Sequence, residues 1–230
     1  MSEHGNLKKE FQLERMILFT DAVFAIAITL LVIEIKAPVI AASSSFDQTL
    51  TQLSELIPRF GGFIISFFVI AIYWRSHHRL FSFLKNYDDK IIWLNFFFLF
   101  FIVLMPFSSS YYSENAEFQL PFYFYSINVS MIGLLNYFML RYIIKHRGSI
   151  SEGLDHIKTR RLARSRTLIV PGIFVFGLLV DMILHPFGDI HYLSRWSPFL
   201  IWPAISLLNK RYGKVEDLEF HEKNYSKRKK

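Results

Sequence analysis

The chain has 230 residues, 52% of them hydrophobic and 17% aromatic, with 25 Phe. Roughly 120 apolar side chains are about what six membrane spans of ~20 residues would need. Only 20% of residues are charged, and the charges stand outside long uncharged runs, which excludes both an ordinary soluble globule and a disordered chain. There is no Cys, so disulfides, thiolate metal sites, iron–sulfur clusters and Cys nucleophiles are excluded as well.

The fold class expected is all-α: a polytopic membrane protein with six transmembrane helices per subunit. Residues 1–15 are polar, lack the pattern of a cleaved leader, and read as a cytoplasmic N-terminus. Residues 16–209 read as the six-helix domain, and residues 210–230 as a basic cytoplasmic tail ending Lys-Arg-Lys-Lys. Span one is Met16 to Ile33, apolar except for Thr20, Asp21 and Thr29. An amphipathic segment, Phe46 to Ile57, leads to Pro58, which suits a first helical turn, and span two is Phe60 to Trp74. Spans three (Ile91 to Ser113) and four (Phe118 to Leu140) are each 23 residues without Asp, Glu, Lys, Arg or His. Residues 156–166 read as an interfacial helix entering span five.

Spans five and six are short. Thr167 to Val180 and Trp196 to Asn209 are each 14 uncharged residues, the second holding Pro198 and Pro203. Such a run covers only about 21 Å of a ~30 Å hydrocarbon core. Four spans plus a re-entrant hairpin is the rival arrangement. With six spans and an inside N-terminus, 23 of the 26 Lys and Arg residues fall on the cytoplasmic side, leaving Lys36, Arg59 and Arg195 outside. Both termini are therefore expected in the cytoplasm, and the net charge of +7 reads as an orientation signal, not as a nucleic-acid surface.

Polar groups inside a span are costly in lipid and are functional candidates by default. On a helical wheel at about 100° per residue, Ala22, Ile26, Thr29, Leu30 and Ile33 form one stripe. Asp21 falls on the opposite side with Phe24, Ile28 and Val32. Its candidate partners are Trp74, His77 and His78 after span two and Asn95 in span three. The adjacent pair His77-His78 points two ways and cannot chelate as an i, i+4 pair would, so no metal or other cofactor is expected. No GxSxG, zinc motif, P-loop or paired catalytic acids occur in the spans, and no enzyme activity is expected.

The string Arg15-Met-Ile-Leu-Phe19-Thr20-Asp21 continues Ala-Val-Phe-Ala-Ile-Ala-Ile-Thr-Leu-Leu. It resembles the signature of the transmembrane protein 175 family, the lysosomal and prokaryotic potassium channels, whose first helix bears Arg, three residues, then Phe-Ser-Asp. Thr20 stands for the usual Ser and keeps the hydroxyl. Tyr73 to Phe81, Trp93, Asn95 and the Pro106-Phe107 pair extend the resemblance over residues 10–110. It implies a potassium-selective channel of the prokaryotic, single-repeat type: a homotetramer in the plasma membrane, passing monovalent cations through a pore lined by the first helix, with no TVGYG-type filter. The constriction then falls on Ile26, with further apolar layers at Leu30 and Ile33 and a hydroxyl layer at Thr29. Arg15, Phe19, Thr20, Asp21, Trp74, His77, His78 and Asn95 fall in the structural motif network. The competing class is a proton-coupled secondary transporter using Asp21 or His77, although span one lacks the break such helices usually show.

Overall fold

The computed structural model describes residues 3–146, 148–151 and 157–212, and every regular element among them is helical. Five helical stretches are long and apolar enough to cross a membrane: Phe11–Ile33, Phe46–Phe81, Asp89–Glu114, Gln119–Lys145 and Ala163–Phe187.

The first helix, α1 (Glu3–Ile33), starts well before the apolar run and stops short of Pro38. A short amphipathic helix, α2 (Phe46–Ser54), is opened by a capping box in which Ser45 and Gln48 satisfy each other's backbone amides. One turn later comes α3 (Ile57–Phe81), with Pro58 in its first turn. It runs past Trp74, so Arg75, His77, His78 and Arg79 lie on the spanning helix itself; no Gly or Pro interrupts the stretch. Asp88 caps α4 (Asp89–Val103) by accepting the Ile91 amide at 3.0 Å.

The third apolar run is divided. Pro106 has no N–H for the Ile102 carbonyl, and the helix breaks at Leu104 before resuming as α5 (Met105–Glu114). Then follow α6 (Gln119–Lys145) and α7 (Ile157–Leu184). The described part of the expected interfacial helix, from Ile157, is the uninterrupted beginning of α7, while His156 lies outside the described residues. Pro171 sits within α7, and its ring fills the space a side chain at Gly133 of α6 would need, 2.5 Å from where a Cβ would stand. This close approach welds α6 to α7. Gly62 of α3 meets Ser113 of α5 in the same manner, whereas Gly61 faces open space.

The sixth apolar run is not one α-helix. A 3-10 turn (His185–Phe187) and a 3-10 segment (Asp189–Leu200) precede the short α8 (Ile201–Tyr212). Pro198 stands in the 3-10 segment and removes a backbone donor from any regular α ladder there, while Pro203 sits in the first turn of α8, where a missing N–H is tolerated. The segment returns antiparallel along α7, pinned at both ends. Ser194 Oγ donates to Asp181 Oδ1 at 2.8 Å, and Arg166 Nη2 donates to Asn209 Oδ1 at 2.9 Å. Fifteen residues separate the two pins on either strand.

The core is a column of buried side chains that includes Phe24, Ile70, Tyr73, Phe98, Ile102, Met105, Ile132, Met139 and Phe174. Against it α1 packs on α3, α4 and α5, while α7 packs on α6, the 3-10 segment and α8. The first helix and the last two thus lie on different sides of the subunit. Near the ends of α3 and α6, the Lys85 amide donates to the Ile150 carbonyl at 2.9 Å, and Leu84 pairs with Ser151.

Candidate functional site

The two sides of α1 differ in kind. Leu13, Thr20, Phe24, Ala27 and Leu31 are buried against the subunit and follow one helical line. The remaining surface carries the sequence stripe bare: Ile26 is 58% exposed, Leu30 38% and Ile33 67%, with Ala22 and Thr29 also exposed. Among the described residues of one subunit nothing covers this apolar face. Thr29 adds the single hydroxyl of the stripe. Its O–H lies within reach of two backbone carbonyls, Ala25 at 3.0 Å and Ile26 at 2.9 Å. Donating its one proton backward leaves the oxygen lone pairs directed away from the helix axis, as acceptors or cation ligands.

The buried side holds α1 through a directed chain of hydrogen bonds. His77 Nε2 is 2.9 Å from Asn95 Oδ1, and Asn95 Nδ2 donates to Thr20 Oγ1 at 2.9 Å. The Thr20 hydroxyl in turn donates to the Met16 carbonyl at 2.9 Å. Since the Asn95 amide spends its N–H on Thr20, its oxygen must accept, which makes His77 Nε2 the donor. The chain therefore runs one way, from α3 through α4 into the backbone of α1. The His77 ring is fixed by stacking on Phe81 (3.9 Å between centroids) and Phe98 (5.0 Å).

Asp21 belongs to a second, separate contact. Trp74 Nε1 donates to Asp21 Oδ1 at 2.9 Å, and the Trp74 indole stacks on His78 at 5.5 Å. Of the partners expected for Asp21, only Trp74 bonds it among the described residues; Asn95 bonds Thr20 instead and His77 bonds Asn95, because Thr20, not Asp21, lies on the buried line. His77 and His78 face different neighbours, one toward Phe81 and the other toward Trp74. Phe19 meets Phe96 edge-on at 6.0 Å on the outer surface. Arg15 is exposed, and among the described residues no hydrogen bond ties it to either contact.

A third polar cluster has no counterpart in the sequence reading. Asp181 of α7 is completely buried; Ser194 and Tyr123 both donate to its carboxylate, at 2.8 and 3.0 Å. An intramembrane acid after fourteen uncharged residues was the available signal. Its partner Ser194 could not be found from spacing, because the chain reverses through irregular turns between them.

Residues 15–106 match the family model described as Endosomal/lysosomal potassium channel TMEM175. A protein named as a potassium channel in Chryseobacterium sp. (strain P1-3) is 33% identical over 146 residues, covering 64% of this chain and 72% of that one. The endosomal/lysosomal proton channel TMEM175 of Mus musculus is 21% identical over 214 residues, which span 89% of this chain but 42% of the mouse protein. Among solved structures, a lysosomal potassium-selective channel TMEM175 homolog from Chamaesiphon minutus superposes with a TM-score of 0.69 at 23% identity. That match covers 86% of this chain and 98% of the other, a likeness of fold. The chain belongs to the TMEM175 family.

Proposed function

We propose that this protein is a potassium-selective cation channel, a homotetramer of the plasma membrane in which four copies of α1 line one pore. The observation that carries the reading is the bare face of α1. A stripe of Ile26, Leu30 and Ile33 with one hydroxyl at Thr29 stays unpacked by its own subunit, while the opposite side is held by the Thr20–Asn95–His77 chain and the Trp74–Asp21 bond. Relatives named as potassium channels agree with it.

Rings of Ile and Leu from four subunits close by dewetting, since a narrow apolar neck holds water poorly and an ion there loses hydration without replacement. Opening widens the neck. Four Thr29 oxygens, each already donating backward into its helix, then present lone pairs to the ion and replace part of its water shell. That favours the more weakly hydrated cation. The permeant ion is the only small molecule in the scheme; no cofactor and no nucleic acid enters it.

Six crossings with cytoplasmic termini complete the proposal. The segment returns antiparallel along α7, pinned fifteen residues apart at Asp181–Ser194 and Arg166–Asn209, which supports a sixth crossing over a shallow hairpin. The basic tail of residues 210–230 lies, from residue 213 on, outside the described residues.

Currents through purified protein in a planar bilayer, reversing near the potassium potential under bi-ionic potassium and sodium, are the expected result. Saturable electroneutral uptake without current overturns the channel in favour of a proton-coupled transporter. Ile26→Asn is expected to raise basal conductance, because a polar ring holds water where an apolar one expels it. An unchanged current removes Ile26 from the gate.

A further inference from the structure

The side of the subunit away from α1 carries its own ordered surface. Along α7, Arg161, Arg164, Leu168, Gly172, Val175 and Leu179 fall on one helical stripe, and all six are exposed. The stripe lies between the side of α7 that meets α6 through Pro171 and the side that meets the returning segment through Asp181 and Arg166. Two cations head it and apolar residues complete it. In its middle, Gly172 leaves a notch: a Cβ there would have no heavy atom within 4 Å.

We infer that this stripe is a binding site for an anionic diacyl phospholipid of the cytoplasmic leaflet, its phosphate held by Arg161 and Arg164 and one acyl chain lying in the Gly172 notch. Three features select that occupant. The guanidinium pair matches a phosphate in charge and in its capacity for paired hydrogen bonds. From Leu168 to Leu179 the helix rises about 16 Å, the depth of one leaflet of a ~30 Å hydrocarbon core. Helix α7 packs on α6, the 3-10 segment and α8 while α1 packs on α3, α4 and α5, so in the proposed tetramer the exposed stripe meets lipid and not the pore. The inference rests on the proposed orientation, which puts the start of α7 in the cytoplasm, but not on conduction.

Native mass spectrometry of the assembled protein, equilibrated with equal phosphatidylglycerol and phosphatidylcholine, tests it without any current. The wild-type protein is expected to retain phosphatidylglycerol preferentially. Removing both cations in the double variant R161Q/R164Q is expected to lower that retention roughly tenfold or more and to leave phosphatidylcholine unchanged. Gly172→Trp, which fills the notch and keeps every charge, is expected to lower phosphatidylglycerol retention as well. The variant K90Q/R141Q removes the same charge from α4 and α6 and is expected to keep the lipid. Equal loss in K90Q/R141Q reduces the effect to general attraction and overturns the site. So does retention untouched by the arginine and glycine changes, and so does a change in subunit number on Gly172→Trp, which would make the stripe a contact between copies.

Discussion

Two regions of the subunit hold an acid within the membrane, and they hold it differently. Asp21 on α1 is half-buried and accepts one N–H, from Trp74. Asp181 on α7 is sealed completely and accepts two hydroxyls, from Ser194 and Tyr123. Around Asp21 the polar contact is a single hydrogen bond beside the buried apolar line of Phe24, Ala27 and Leu31, and a whole face of the helix stays bare. Around Asp181 the packing is close: the Pro171 ring sits against Gly133, and Gly177 would place a Cβ 2.3 Å from Ser197 Oγ. The side of the subunit bearing α7 is built to stay shut. The side bearing α1 packs one line of the helix and leaves the other face free, which suits the proposed pore.

The largest break comes at the sealed acid. Asp181→Leu removes the acceptor of the buried Ser194 hydroxyl and the half-buried Tyr123 hydroxyl, and with it one pin of the returning segment. A buried donor left without its acceptor costs about 1–3 kcal/mol, so a loss of about 2 kcal/mol or more is expected, read as a lowered thermal midpoint in detergent. Asp181→Asn keeps one acceptor and should recover part of it. If the two variants match the wild type, the cluster does not lock the segment.

Next in size is the close contact. Gly133→Val drives a branched side chain into the Pro171 ring, and overpacking of this kind costs about 1–3 kcal/mol. The double variant with Pro171→Ala should restore most of it, since the clash needs both groups. Failure of that rescue places the damage inside α6 itself.

Much of this frame is legible from residue order. The 23-residue uncharged runs place the third and fourth crossings, and the first helix announces itself by Met16 to Ile33. The α1 stripe needs only the wheel, because a face without charge shows its period directly. Other parts escape for physical reasons. Pro106 marks a break that an apolar count passes over. Trp196 to Asn209 reads as one weak span, yet its first part, with Pro198, belongs to a 3-10 segment whose position depends on Ser194 finding Asp181. The support network was legible in its members but not in its pairing. Asp21 draws the eye as the charged residue, while Thr20, one position earlier, occupies the line of Leu13, Phe24, Ala27 and Leu31 and so receives the Asn95 bond.

That pairing sets a third prediction on the tethered side. Thr20→Val keeps the shape and removes the acceptor for Asn95 Nδ2, leaving a buried donor unsatisfied at about 1–3 kcal/mol. Asn95→Leu alone should cost more, since it also takes the acceptor from His77 Nε2, and the double variant less than the two together, because they share the Thr20–Asn95 bond. Strict additivity would show that the two side chains act independently.

The smallest expected effect falls on the exposed tether. Trp74→Phe removes the N–H that reaches Asp21 and keeps an aromatic ring for His78 to stack on. Hydrogen bonds between membrane helices average about 0.6 kcal/mol, and Asp21, half-exposed, keeps access to other donors, so the thermal midpoint should scarcely move. What should move is conduction. Losing this tether while the Thr20 chain stays intact frees one side of α1 without unfolding it, so Trp74→Phe is expected to change open probability in single-channel records at unchanged unitary current. A large loss of stability would instead make Asp21 a structural lock like Asp181, and the contrast between the two acids would fail.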